Sequence, residues 1–480
     1  MEEKYIVAIE PGSSKIKGAL GRVDKDGGLT VLAIREVPVL ESIRYGQIRN
    51  VEEVSNKIGE IIGKLEVVKA ISPRRIKGVY VGLSGLSVNS TLVEQSLSYE
   101  VEKEIGSSDV EKLIELSRDS IDSDRDIYQV LPIRYVVDNT TATNPVGYVT
   151  TGSVRGYFNV VTGVKGIRSN INRVIRDRLN LDVEGYICAP TALADTILTA
   201  DEKQLGCMML DFGAETTTVL IYKKGALVYL ATLPMGSRNI TRDITFVSSE
   251  YLEDRAEKIK WELGVSPDED NYEMSTDDIQ QTTISKSIKA RVGEIIANIL
   301  AQIEYADYKA SDLPSGIIIT GGGARLKGFS ELLSSRSRMK VRAGVLPNNI
   351  SIADSSVLTS QNLDIISLLE TASLDPTSCI EPATQKQTTP LSRINDSFDE
   401  IDRDPDEYNP EDDLMATRIG REDLEDDPLD ENYGRNPQKK ERKRPVSNEP
   451  KKPGIVDRLR ARISTLLRDP EDSFDKDFDD

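Results

Sequence analysis

Apolar positions follow two rhythms through the first 385 residues. Short apolar runs at 4–10, 16–23, 29–37, 79–83, 183–188 and 316–320 predict strands. Several lack a polar face, as strands covered on both sides require. Val54, Ile58, Ile61, Ile62 and Leu65 instead recur at three- and four-residue spacing, predicting a helix over 51–65. The same reasoning places helices at 108–121, 167–179, 190–198, 253–263 and 284–308, and a strand hairpin over 207–222. Between 84 and 165 the pattern is mixed, with strands near 128–137 and 154–162 beside the 108–121 helix, where Ser108 and Glu111 have capping-box spacing. From 239 to 300 helices dominate, with a smaller amount of strand expected. Strands interleaved with helices predict an α/β fold.

The pattern stops near residue 385. From 385 to 453 the chain is rich in Asp, Glu, Pro, Asn and Arg. Such a segment cannot bury enough surface to offset its ordering entropy, so a disordered linker is expected. It is acidic over 391–436 and basic over 439–452. Periodicity then returns at 454–468. On a helical projection Ile455, Val456, Leu459, Ile463, Leu466 and Leu467 fall within an arc of roughly 120°, flanked by Arg458, Arg460, Arg462 and Arg468. An apolar stripe between arginines suits a helix lying in a membrane interface. The alternative is a helix docked on the protein itself or in a partner's groove. Residues 439–444 add basic charge that would favour an anionic leaflet. An acidic tail, 469–480, follows.

Composition removes several chemistries. The 480 residues carry a formal net charge of −19 and a pI near 4.8, which argues against a nucleic-acid binder. There is no histidine, so imidazole bases and the usual zinc sites are excluded. Cys188, Cys207 and Cys379 stand singly and read as buried thiols of a reducing compartment. No apolar run approaches the ~18 residues of a spanning helix, and a strand is expected from the start, so neither a signal peptide nor a membrane span is expected.

Two stretches nearly repeat each other: Tyr5-Ile-Val-Ala-Ile-Glu-Pro-Gly-Ser-Ser-Lys15 and Met208-Met-Leu-Asp-Phe-Gly-Ala-Glu-Thr-Thr-Thr218. Each is an apolar strand ending in a carboxylate, a glycine two residues on, hydroxyl side chains, and a returning strand. Such a turn directs backbone N–H groups at one point, which suits phosphate, while the carboxylate suits the accompanying Mg²⁺. A pair implies one phosphate chain held from two sides. A third cluster, Gly321, Gly322 and Gly323, ends a short strand and would let backbone approach a flat ligand. Asp211, at the end of a buried strand, needs a cation or donors nearby; the plainer alternative is a turn cap. Glu257 and Lys260 share a helix face, and alone they would equally suit a solvated surface.

In this order the three motifs resemble the phosphate-1, phosphate-2 and adenosine motifs of the actin, sugar kinase and Hsp70 ATPase superfamily. The segment 130–138, with Asn144-Pro-Val-Gly-Tyr148 and 154–161, resembles the inserted subdomain 1C of the FtsA family, whose members also end in an amphipathic helix after a linker. The resemblance implies a two-lobed actin-like fold. Subdomain 1A would comprise 1–83 and 166–204, completed by 350–384; 1C would be 84–165; 2A would be 205–240 and 301–349; 2B would be 241–300. It implies ATP held by Glu10, Gly12, Ser13, Ser14, Lys15, Asp211, Gly213, Ala214, Glu215, Thr216, Thr217, Glu257, Lys260, Gly321, Gly322 and Gly323. Mg²⁺ would sit on Asp211, with Glu10 as the alternative second ligand. It implies filaments, a weak contact with the C-terminal peptide of FtsZ for which Arg291 is a candidate, later division proteins as partners, and the cytoplasmic face of the inner membrane at the septum. The family's first motif carries aspartate where this chain has Glu10, followed here by Pro11. The longer side chain and missing N–H predict binding of ATP with slow or absent hydrolysis. Two alternatives stand beside this reading: a PilM-like pilus adaptor, and an ATPase of the sugar kinase or Hsp70 type.

Overall fold

The computed structural model describes residues 3–247, 251–266, 279–354, 357 and 359–381, and for 279 and 280 only the backbone. The expected linker at 385–453, the helix at 454–468 and the tail at 469–480 lie outside the described residues.

The repeated motif belongs to a repeated architecture. In one sheet the spatial order is Asp182–Cys188, Gly78–Leu83, Lys4–Pro11, Lys15–Val23, Leu29–Pro38 and finally Ser351–Ile352. In the other it is Val341–Ala343, Ile317–Thr320, Cys207–Phe212, Thr217–Lys223 and Ala226–Leu233. With the short Ser351–Ile352 set aside, each sheet is an antiparallel meander of three strands whose first strand also pairs in parallel with a fourth. The cause is visible in the first strands. Ile6, Val7, Ala8 and Ile9, like Cys207, Met208, Met209 and Leu210, are fully buried, so each strand must sit in the middle of its sheet with helices on both faces.

Helix Val51–Glu66 covers one face of the first sheet through Val54, Ile58, Ile61 and Leu65. Asn50 caps it, its Oδ1 accepting the Glu53 N–H at 3.0 Å. Helix Leu363–Leu374 packs on the opposite face and against Ala189–Ile197, which rests on the second sheet. These two helices join the halves. Ile279–Tyr305 and Phe329–Ser337 enclose the second core with Phe212 and Ile319.

Four local expectations change. The helix expected at 108–121 spans Ser107–Asp119, and its start is capped by Asp109, whose Oδ2 accepts the Gly106 N–H at 3.0 Å. Ser108 and Glu111 do not form the box, because the helix starts one residue earlier with Gly106 as its cap, which places Ser108 inside the first turn. The helix expected at 167–179 is α-helical over Gly166–Asn172 and widens to a π-helix over Arg173–Arg178. The long helix runs Ile279–Tyr305 and stops before 308, where Asp307 takes φ of 61°. Among the described residues of 239–300 there are helices and no strand.

Between 84 and 165 the chain builds an antiparallel sheet ordered Thr140–Ala142, Arg125–Val137, Ser153–Val164, Asn89–Ser98, with Ser107–Asp119 packed on it. Its core holds Val93, Leu113, Val154 and the edge-on pair Tyr135 and Phe158, 5.8 Å between centroids. It leans on the second half: Asn159 Nδ2 donates to Leu227 O at 3.1 Å, and Leu230 N–H to Ser90 Oγ at 2.9 Å.

Candidate functional site

The paired halves leave a cleft of about 440 Å³ between their hairpin turns. The turns close identically. Gly12 N–H donates to Lys15 O at 3.1 Å, and Gly213 N–H to Thr216 O at 2.9 Å. A Cβ on either glycine would stand 2.7 Å or 3.0 Å from that same carbonyl, so glycine is what allows the tight turn. Gly12, Ser13 and Ser14 face Gly213, Ala214 and Thr216 across the space.

Glu10 and Asp211 line the floor at corresponding places. Between them lies Lys17, 4% exposed, donating to Asp364 Oδ1 at 2.6 Å and to Gln361 O at 2.8 Å. Burial pushes the Glu10 carboxyl well above its ordinary pKa; Asp364, by charge and hydrogen bond, and Asp211 add to this, against the pull of Lys17. Burial and then Asp364 raise Asp211 to about 6, again against Lys17. Burial alone would lower the Lys17 ammonium, but Asp364 and Glu10 outweigh it and its pKa rises. Burial with too little positive charge nearby disfavours the charged form of both carboxylates. Among the described residues no group of three carboxylate or thiol ligands could hold a metal by itself. Two carboxylates at a phosphate-sized cleft do fit Mg²⁺, which takes one or two protein carboxylates and completes its shell with water and phosphate oxygen.

Sequence reading missed Lys17 and Asp364. A signal for Lys17 existed: an antiparallel hairpin turning at 12–14 pairs Glu10 with Lys17. Asp364 had none, since it arrives from a helix 347 residues away in sequence. Lys15 lines the cleft, but its Nζ donates to Glu36 at 2.6 Å.

Next to Asp211, Gly321 and Gly322 line the cleft with Thr320, Arg325 and Trp261. Gly321 has φ of 88°, and a Cβ there would meet Phe212 O at 2.5 Å and Asp211 Oδ1 at 2.6 Å. Gly323 lies outside the lining, backed by the Phe212 ring. Glu257 lines the cleft, accepting Trp261 Nε1–H and Lys260 Nζ–H, both at 2.8 Å. Its burial favours the neutral acid, but Lys260, Thr241 and Trp261 outweigh this and lower its pKa. Lys260 is 1% exposed and does not reach the cleft; burial lowers its pKa, opposed by Glu257. Thr217 is also buried, its Oγ1 donating to Met235 O at 2.6 Å. Glu215 touches the cleft but is 2% exposed and engaged by the opposite half. Arg291 lies on the helix Ile279–Tyr305, forked onto Asp243 at 2.5 and 2.9 Å and paired with Glu294. None of its contacts involves the cleft.

Residues 208–361 match the family model described as cell division protein FtsA. The chain is 27% identical over 399 residues to FtsA of Porphyromonas gingivalis, covering 80% of each chain. It is 26% identical to FtsA of Pseudomonas aeruginosa, over 71% of this chain and 83% of that one, and 26% identical to FtsA of Bacillus subtilis, over 74% and 82%. Among solved structures it is similar to a chain of the PilM-PilN type IV pilus biogenesis complex, with a TM-score of 0.57 and 14% identity over 77% of this chain and 99% of that one. That likeness, with the doubled sheet order, establishes an actin-like fold.

Proposed function

We infer that this chain, a homologue of the FtsA cell division proteins with an actin-like fold, is a bacterial division protein that binds ATP, assembles into filaments and anchors the FtsZ ring to the cytoplasmic face of the inner membrane. One observation carries the nucleotide reading. Two turns of the same closure face each other across one cleft, with Glu10 and Asp211 at equivalent positions below them.

The turn N–H groups of the two halves would hold the phosphates from opposite sides. Glu10 and Asp211 would hold Mg²⁺, which neutralises phosphate charge when bound. Gly321 and Gly322 give the base a flat approach, and Trp261 and Glu257 border it. Lys17 offsets part of the negative charge of the floor, and no histidine is present to act as a base. With Glu10 longer than the family's aspartate, ATP serves mainly to hold the halves in one arrangement, and turnover is slow or absent. Filaments of such subunits would multiply two weak contacts, one to the FtsZ C-terminal peptide through 241–300 and one to anionic lipid through 454–468. Subdomain 84–165 would serve self-association and later division partners.

Trp261 is the only tryptophan in the sequence, so its fluorescence reports directly on the cleft. Titration with MgATP should change its emission saturably, and Asp211→Asn should abolish both the change and ATP-dependent sedimentation of filaments. An unaltered nucleotide affinity in Asp211→Asn would refute the site. A pull-down with the host's FtsZ C-terminal peptide should retain the protein. The PilM likeness gives the second reading, a pilus adaptor, and failure of a folded protein to bind that peptide would favour it.

A further inference from the structure

The least expected group in the cleft is the carboxylate of Glu215. It sits in the turn of the second hairpin, where a phosphate ligand was expected, yet its side chain is 1% exposed. A buried carboxylate is costly unless surrounded by donors, and here the donors come from both halves. From the first half, the Tyr45 N–H donates to Oε2 at 2.7 Å and Arg44 Nε lies 2.8 Å from Oε1. From the second half, Arg238 Nη1 approaches at 3.1 Å and Arg242 Nη2 at 3.5 Å. Arg238 also reaches across, donating to Leu40 O at 3.2 Å.

Both partners are held rigidly. Arg44 and Tyr45 belong to a two-stranded hairpin, Ile43–Arg44 with Gln47–Ile48. Tyr45 has φ of 51° and Gly46 of 76°, and a Cβ on Gly46 would stand 2.4 Å from Gly85 Cα. The Gly46 N–H donates to Ser13 Oγ at 3.1 Å, fastening this hairpin to the first phosphate turn. Across the cleft, Ser237 N–H donates to Gly213 O at 2.9 Å and Arg238 N–H to Ala214 O at 2.8 Å, fastening the second turn to the helix Ser237–Val247. A continuous polar chain thus runs from Ser13 through Gly46, Tyr45 and Glu215 to Arg238.

We propose that Glu215 is a clasp: a positioning residue that binds the hairpin 43–48 to the second phosphate turn, holds the two halves together over the cleft, and so sets how slowly a bound nucleotide leaves. It is not a ligand of Mg²⁺ or phosphate. This rests on the nucleotide reading above for its effect on release, though not for the existence of the clasp. Loosening a contact that holds the cleft closed, without touching the ligand, acts mainly on how fast the ligand leaves. The nucleotide should therefore enter as before and leave faster.

The test follows a fluorescent ATP analogue in stopped flow, with wild type, Glu215→Gln, Arg44→Met and the double variant. Either single change should raise the dissociation rate by about tenfold or more, leaving the association rate and the Mg²⁺ requirement unaltered, and the double variant should add little further. An unchanged dissociation rate, or a loss of Mg²⁺ dependence in Glu215→Gln, would overturn the proposal. Hydrogen exchange on the protein without nucleotide gives a separate readout. The Tyr45 amide should exchange faster in Glu215→Ala, which removes its acceptor, and equal protection would also overturn the clasp. If wild type binds no nucleotide, the functional reading fails while this second measurement still decides the clasp.

Discussion

The decisive residues at the smallest scale are those whose partners lie far away in sequence. Lys15 drew attention because it sits inside a motif, but the cation at the cleft floor is Lys17, two residues deeper. Register could have revealed it, whereas nothing local could reveal Asp364. Lys17 is buried while Asp364 keeps 30% of its side chain exposed, so removing the lysine should cost about 2–3 kcal/mol, less than breaking a fully buried pair. Lys17→Met should therefore lower stability to urea by about that order, and adding Asp364→Asn should restore part of it. Gly46 makes a similar point about backbone. Its positive φ and its approach to Gly85 mean that Gly46→Ala should destabilise by more than about 1 kcal/mol in the same melts. Sequence alone identified the glycines of the two hairpin turns, because their motif repeats, but not this one, which has no counterpart motif.

Among the elements, strands and helices with strong periodicity were legible, while their ends and bindings were set by tertiary partners. Val51–Glu66 was foreseen within a residue from its apolar stripe, and the structure adds the Asn50 cap that fixes its start; Asn50→Ala should cost about 1 kcal/mol in thermal melts. The short helix Ala200–Leu205 is different. Its Glu202 caps Thr199 N–H at 2.9 Å and takes both nitrogens of Arg342 at 2.6 Å, tying the helix to the edge strand Val341–Ala343. Burial favours the acid form of Glu202, but Arg342 and Thr199 prevail and its folded pKa is lowered. A depressed carboxylate contributes stability above its unfolded pKa and loses it as pH falls through the folded value. Wild type should thus weaken on acidification below about pH 4.3, and Glu202→Gln should flatten that part of the urea-midpoint profile.

For the whole molecule, the doubled hairpin was readable because both copies place a glycine two residues after the carboxylate that ends an apolar strand, with hydroxyl side chains following. What differs between the copies was not readable: the second turn carries Glu215 where the first has Ser14, and only the folded chain brings Arg44 to it. At this scale the proposed membrane contact of 454–468 is open to a direct test. Deleting 454–468, or making Leu459→Asp with Ile463→Asp, should abolish co-sedimentation with anionic liposomes while leaving the Trp261 response to MgATP intact. The closure of the first sheet has a further consequence, one of timing. Its outer strand Ser351–Ile352, its covering helix Leu363–Leu374 and the Cys379 N–H, bonded to Tyr5 O at 2.8 Å, all come from the far end of the folded region. At translation rates of about 5–20 residues per second, the first strand waits roughly 20 to 75 s for these partners. The second sheet is made whole from a single stretch, 207–343. A chain ending at residue 350 and released from the ribosome would therefore carry a protease-resistant second half and a digestible first half: what is synthesised first is completed last, and a chaperone would find its client in the oldest part of the chain.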